Sequence, residues 1–200
     1  MITRKLFWYS GIAAILVYVF ATILGGLYYP HYSHTSQAIS ELVGINAPTR
    51  TILNPIYVFY NLLLITFAYG IYSEWRDRQT KIGAFLLFVL AVASILMWWF
   101  PMDPKDGSLS QTGVIHIMLA AVEALSTVLA SLLFGFGLRK RMPFLSAVSY
   151  SVGLMILLIG PVAGGSAARH HLYMGLFERV TIGLFLGWVA AFSIIMLKRK

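Results

Sequence analysis

HYSHTSQAISELVGINAPTR, residues 31–50, is the longest polar interruption in an otherwise apolar chain of 200 residues. It carries two of the five histidines, His31 and His34, and the adjacent pair Ser40 and Glu41. On either side lie runs that read as membrane spans, Leu6–Tyr29 before it and Thr51–Tyr72 after it. About 20 apolar residues cross the hydrocarbon core as a helix, and lipid offers no partner to an open backbone. Four further runs qualify: Ile82–Phe100, Val114–Leu138, Pro143–Val162 and Leu176–Leu197. They are continuous instead of alternating with period two, which excludes a barrel. The expectation is one all-α, polytopic membrane domain over residues 1–200, a six-transmembrane-helix bundle.

Composition agrees. Hydrophobic residues make up 59% and charged ones 11%, against about a quarter charged in soluble domains. With no cysteine, disulfides, thiolate metal sites and cysteine nucleophiles are excluded. The net charge of +8 sits in short clusters between apolar runs, which is how orientation signals look, and no nucleic-acid partner is expected. Arg4 and Lys5 precede an apolar run too long for a cleavable signal, and no A-x-A site ends it. That run is expected to stay as the first span.

Lysine and arginine set the orientation. Arg4, Lys5, Arg76, Arg78, Lys81, Arg139, Lys140, Arg141, Lys198, Arg199 and Lys200 gather at one end, leaving Arg50, Lys105, Arg169 and Arg179 at the other. The positive-inside rule then places both termini in the cytoplasm, with the plasma membrane as the expected location. All five histidines, and all acids but Glu74 and Asp77, fall on the opposite, outer half. The chemically versatile side chains are therefore one-sided.

Within the 31–50 loop, Ser36 can cap a short interfacial helix running to Gly44, with Ile39, Leu42 and Val43 on one face. It would lie on the membrane surface or fold down as a lid. Pro48 and Pro55 bracket the entry to the second span. Trp8, Tyr9, Tyr72 and Trp75 at one interface, and Tyr28, Tyr29, Trp98, Trp99 and Tyr173 at the other, read as anchors. Gly175, Arg179, Gly183 and Gly187 form one stripe, whose glycines let a neighbouring helix come close.

The fourth span holds His116 and, seven residues on, Glu123, on nearly the same face and about 10 Å deeper. A carboxyl group at that depth must be paired, protonated or facing water. It reads either as the wall of an outward cavity or as a packing bond between helices. Glu178 and Arg179, about 100° apart on a helix, open the sixth span. Arg179 can pair with Glu123 or a loop acid, or anchor a phosphate or carboxylate. Pro101 and Pro104 fix Asp103 just above the rim, while Asp106 reads as solvated. His31, His34, His170 and His171 are the residues on which a divalent metal would draw. Ser40 beside Glu41 permits a nucleophile and base.

Ala38-Ile39-Ser40-Glu41-Leu42-Val43-Gly44 and Ala47-Pro48-Thr49, with Phe100-Pro101-Met102-Asp103, His116 and Glu178-Arg179, resemble a prokaryotic six-span family, domain of unknown function nine-nine-eight. The resemblance implies the six-helix fold and one outer-face site made by Ser40, Glu41, Asp103, His116, Glu178 and Arg179. It implies no activity. A shorter likeness, Ile39-Ser40-Glu41 with the following Gly and Pro, is to eukaryotic six-span proteins linked to lipid remodelling and autophagy.

Three functions fit this pattern. In the first, a membrane-embedded enzyme or binder acts on a lipid headgroup or other amphiphile. Glu41, Asp103 and His116 would be catalytic, and Ser40, Glu123, Glu178 and Arg179 would bind ligand. A small-solute or proton-coupled transporter is the second, and the few polar residues of the inner half, chiefly Asn61 and Ser131, argue against it. The third is a non-catalytic scaffold whose outer cluster pins the loops.

Overall fold

Uninterrupted apolar sequence explains each helix of the computed structural model, and a side-chain cap sets the start of two of them. The structure describes residues 2–104, 108–168 and 172–199, with only the backbone for 2, 3 and 163–168. Lys105, Asp106, Arg169, His170 and His171 lie outside the described residues, and with them the solvated acid and half of the candidate metal ligands. The helices are α1 (Ile2–Tyr28), α2 (Arg50–Glu74), α3 (Arg78–Leu96), α4 (Gln111–Leu138), α5 (Pro143–Ala168) and α6 (Met174–Lys198). All six are long and apolar enough to cross a membrane. The protein is a multi-pass membrane protein.

Asp77 caps α3 by accepting from the Thr80 amide at 2.8 Å, and Ser110 caps α4 by accepting from the Gly113 amide at 3.1 Å. These caps satisfy orphan first-turn donors, and Ser110 starts α4 three residues before the apolar run does. Pro55 lies inside α2, past its first turn. α5 continues through Pro161 to Ala168.

Each helix packs against the next in sequence, and α6 returns to α1, closing a ring. One end carries both termini and the basic turns (the terminal end). The other carries the 31–50 connection (the loop end). In the terminal half, Trp8, Phe67, Phe134, Trp188 and Phe192 are almost wholly buried. Their rings interlock, Phe134 on Trp188 at 5.1 Å and Trp8 on Phe192 at 6.0 Å between centroids. The Trp188 indole donates to the Ser149 hydroxyl at 2.8 Å, as a buried indole N–H requires.

Three expectations need correction. Trp8 and Trp75, at 1% and 2% exposure, are core residues and not interface anchors, because both turn toward α6. Tyr9, Tyr28, Tyr72, Trp98, Trp99 and Tyr173 do face outward. Gly183 and Gly187 have open space where a Cβ would stand, so the stripe brings no helix close there. The interfacial helix is a single 3-10 turn, Ser40–Val43, without a Ser36 cap. Ile39 and Leu42 bury it against Ala21 and Leu53 of α1 and α2.

Candidate functional site

The 31–50 loop is sewn to α6 and to the α3–α4 connection. His31 and Asn46 take left-handed backbone, with φ of 59° and 66°, where the chain turns sharply. Between them the loop folds inward over the ring. Thr49 Oγ1 donates to the Leu42 carbonyl at 2.6 Å. The Glu178 carboxylate accepts from the Ile39 amide at 2.7 Å and also from that of Ser40. It therefore caps the 3-10 turn from another helix, the task expected of Ser36.

Arg179 holds the same loop from the next position. Nη1 donates to the carbonyls of Gln37 and Gly175, both at 2.9 Å, and Nη2 to Tyr32 Oη at 2.6 Å and His34 Nδ1 at 3.1 Å. A guanidinium has five N–H donors. Four are thus committed to neutral acceptors, and the fifth, Nε, is buried without a partner among the described residues. The expected pairing of Arg179 with Glu123 or a loop carboxylate is not what the structure contains. The single carboxylate–cation pair among the described residues joins Arg4 to Glu74 at the terminal end.

The remaining loop acids are also engaged. Glu41 accepts from the Ala38 amide at 2.9 Å and the Gln37 side-chain amide at 3.0 Å. Asp103 accepts from the Ser110 amide at 2.8 Å and the Ser110 hydroxyl at 2.7 Å. Those two bonds hold its carboxyl below the ordinary carboxylate value. Burial pushes the Tyr32 hydroxyl up to about 12, against the opposing pull of Arg179. Burial first, and then the Arg179 charge, lower His34. With Nδ1 accepting from Arg179 and its ring edge-on to Tyr32 at 5.1 Å, His34 is an arginine partner. His31 is exposed. No three metal-ligating side chains converge among the described residues.

Ser40 donates to Met102 Sδ at 3.1 Å, and the Ile45 amide to the Met102 carbonyl at 2.9 Å. His116, 7% exposed, directs Nδ1–H to the Phe100 carbonyl at 2.9 Å, which fixes its tautomer. Ser40, Glu41, Glu178 and Arg179 thus meet in one assembly. Asp103 and His116 belong to its neighbour around the α3–α4 connection.

Beneath this roof lies a polar layer. Glu123 accepts from the Ser94 hydroxyl of α3, and its Oε1 is buried without a partner among the described residues. Glu178 is its electrostatic neighbour, as are Tyr18 and Tyr60. Tyr18 stacks near Tyr60 at 4.9 Å and Tyr57 at 5.5 Å, and Tyr57 shares a 3.3 Å hydrogen bond with Thr22. Tyr32, Gln37, Ser94 and Ser110 are partners that sequence reading missed. Only Ser110 carried a signal, as a serine just before a helical run.

One stripe of α4 runs Ile117, Ala121, Ala124, Val128, Ser131, Gly135. Its lower half is buried against α5: a Cβ on Gly135 would come within 2.7 Å of Tyr150, and one on Gly153 within 3.1 Å of Ser131. Its upper half, Ile117, Ala121 and Ala124, is exposed. The same antiparallel register sets Ala124 level with Gly160, where a Cβ meets nothing within 4 Å. Around Ala124 and Gly160 the facing surfaces of α4 and α5 are thus uncovered, one residue on from Glu123. Two grooves lie elsewhere, one of about 450 Å³ between α2 and α3 lined by Tyr69, Tyr72 and Phe85, the other of about 240 Å³ beside Leu24 and Ile52.

A family model described as protein of unknown function (DUF998) matches residues 12–195. No curated protein and no solved structure matches the chain.

Proposed function

The chain belongs to that DUF998 family, and we propose that it is a receptor for a lipid or other amphiphile that enters sideways between α4 and α5. The basic clusters orient the loop end outward and the termini into the cytoplasm, with the plasma membrane as the site of action. The carrying observation is the exposed upper stripe of α4 next to Glu123. An uncovered strip of α4 beside a buried polar atom suits a molecule with one polar end.

Binding fits better than catalysis or transport. Glu41 and Asp103 accept hydrogen bonds within their own loops, so each carboxylate already has a structural task there. Arg179 has spent its paired donors on the loop. The interlocked rings of Trp8, Phe67, Phe134, Trp188 and Phe192 close the terminal half, leaving a solute no polar route onward. The test is a plug. Gly160→Trp is expected to abolish saturable labelling of α4 by a photoactivatable long-chain alcohol while unsaturable labelling around Leu129 and Phe136 persists. Equal saturable labelling in plugged and wild-type protein refutes the receptor reading.

A further inference from the structure

We infer that the polar end of this ligand is a hydrogen-bond-donating cation of the alkylammonium class, seated against Glu123 Oε1. The inference rests on the amphiphile reading and adds the chemistry of the headgroup. Outside the terminal end, the buried side-chain atoms left without a partner among the described residues are two acceptors, Glu123 Oε1 and Asn61 Oδ1, and one donor, Arg179 Nε, whose other N–H groups are committed to the 31–50 loop and its own helix. Asn61 is 1% exposed, and its Nδ2 donates to the Tyr57 carbonyl at 2.8 Å, so the atom left over is the oxygen. It follows Tyr60, itself an electrostatic neighbour of Glu123. Buried acceptors without donors are costly, and a ligand that donates removes the cost.

Charge points the same way. Glu178 and Arg179 offset one another at the roof, and Arg179 turns its Nη donors to the loop. Glu123 has no cation within ion-pair distance among the described residues. The Tyr18, Tyr57 and Tyr60 rings cluster beside it, and ring faces attract cations. The unpartnered donor, Arg179 Nε, belongs to the side chain that holds the 31–50 loop.

The test uses the full chain released in detergent and native mass spectrometry, with dodecylamine, dodecanol and dodecyl phosphate as probes of one tail length. Dodecylamine is expected to bind at least about ten-fold more tightly than either competitor. Glu123→Gln is expected to remove that advantage while dodecanol binding stays. Phosphate binding as tight as amine overturns the headgroup inference and leaves the amphiphile reading standing. Saturable binding of none of the three removes the amphiphile reading itself, and this inference with it. The wild-type ranking decides the matter even where Glu123→Gln fails to fold.

Discussion

At the scale of single residues, the loop end is an exercise in donor counting. Arg179 commits four N–H groups to one loop and its own helix, and lysine offers three from a single point. Arg179→Lys is expected to lower unfolding stability by about 2 kcal/mol, read as a fall in melting temperature with faster proteolysis between residues 31 and 44. His34 gives the same contact a pH dependence. Its folded value lies below the ordinary 6.5, so its contribution is complete above about that pH and drains as pH falls below it. Protonated Nδ1 becomes a donor facing a donor. Loop protection from amide exchange should therefore fall on acidification below about 6.5, and His34→Gln, which keeps an acceptor, should flatten that response.

At the scale of elements, α6 shows why a stripe of small residues must be read position by position. A Cβ at Gly175 would run into the backbone carbonyls of Gln37 and His34, whereas one at Gly187 meets nothing within 4 Å. Gly175→Ala is expected to cost about 1–3 kcal/mol through displacement of the loop, while Gly187→Ala is neutral or slightly stabilising. Thermal melts of the two variants side by side decide this. The six spans were legible in the sequence because hydropathy reports length, and length is what a bilayer demands. Their ends were less so: Ser110 and Asp77 set two starts by capping, and caps lie outside the apolar runs. That Ser40, Glu41, Glu178 and Arg179 assemble was legible as a resemblance only. Which atom each one touches was not, since Tyr32, Gln37 and Ser94 carry no pattern that marks them as partners. Tryptophan near a span end likewise has two fates, lipid headgroups or core, and only the face of the helix separates Trp75 from Trp99.

At the scale of the whole molecule, the ring is sealed in its terminal half by interlocked aromatic side chains. In hydrocarbon, helices gain from close packing and not from leaving water, so the interlocked aromatic rings are where the bundle is held. Trp8→Ala is expected to cost about 3–5 kcal/mol, and Trp99→Ala, at 62% exposure, less than about 1 kcal/mol, within the usual range for exposed positions. Reversible unfolding in mixed micelles separates them.

The bond from Glu178 to Ile39 spans 139 residues. A ribosome delivers Ile39 early and Glu178 near the end, so the first long connection waits, half-made, while five helices enter the bilayer. Completion of the 31–50 fold is thereby tied to arrival of the final span: a chain cut short before residue 178 would carry every histidine and still lack the latch that shapes this connection.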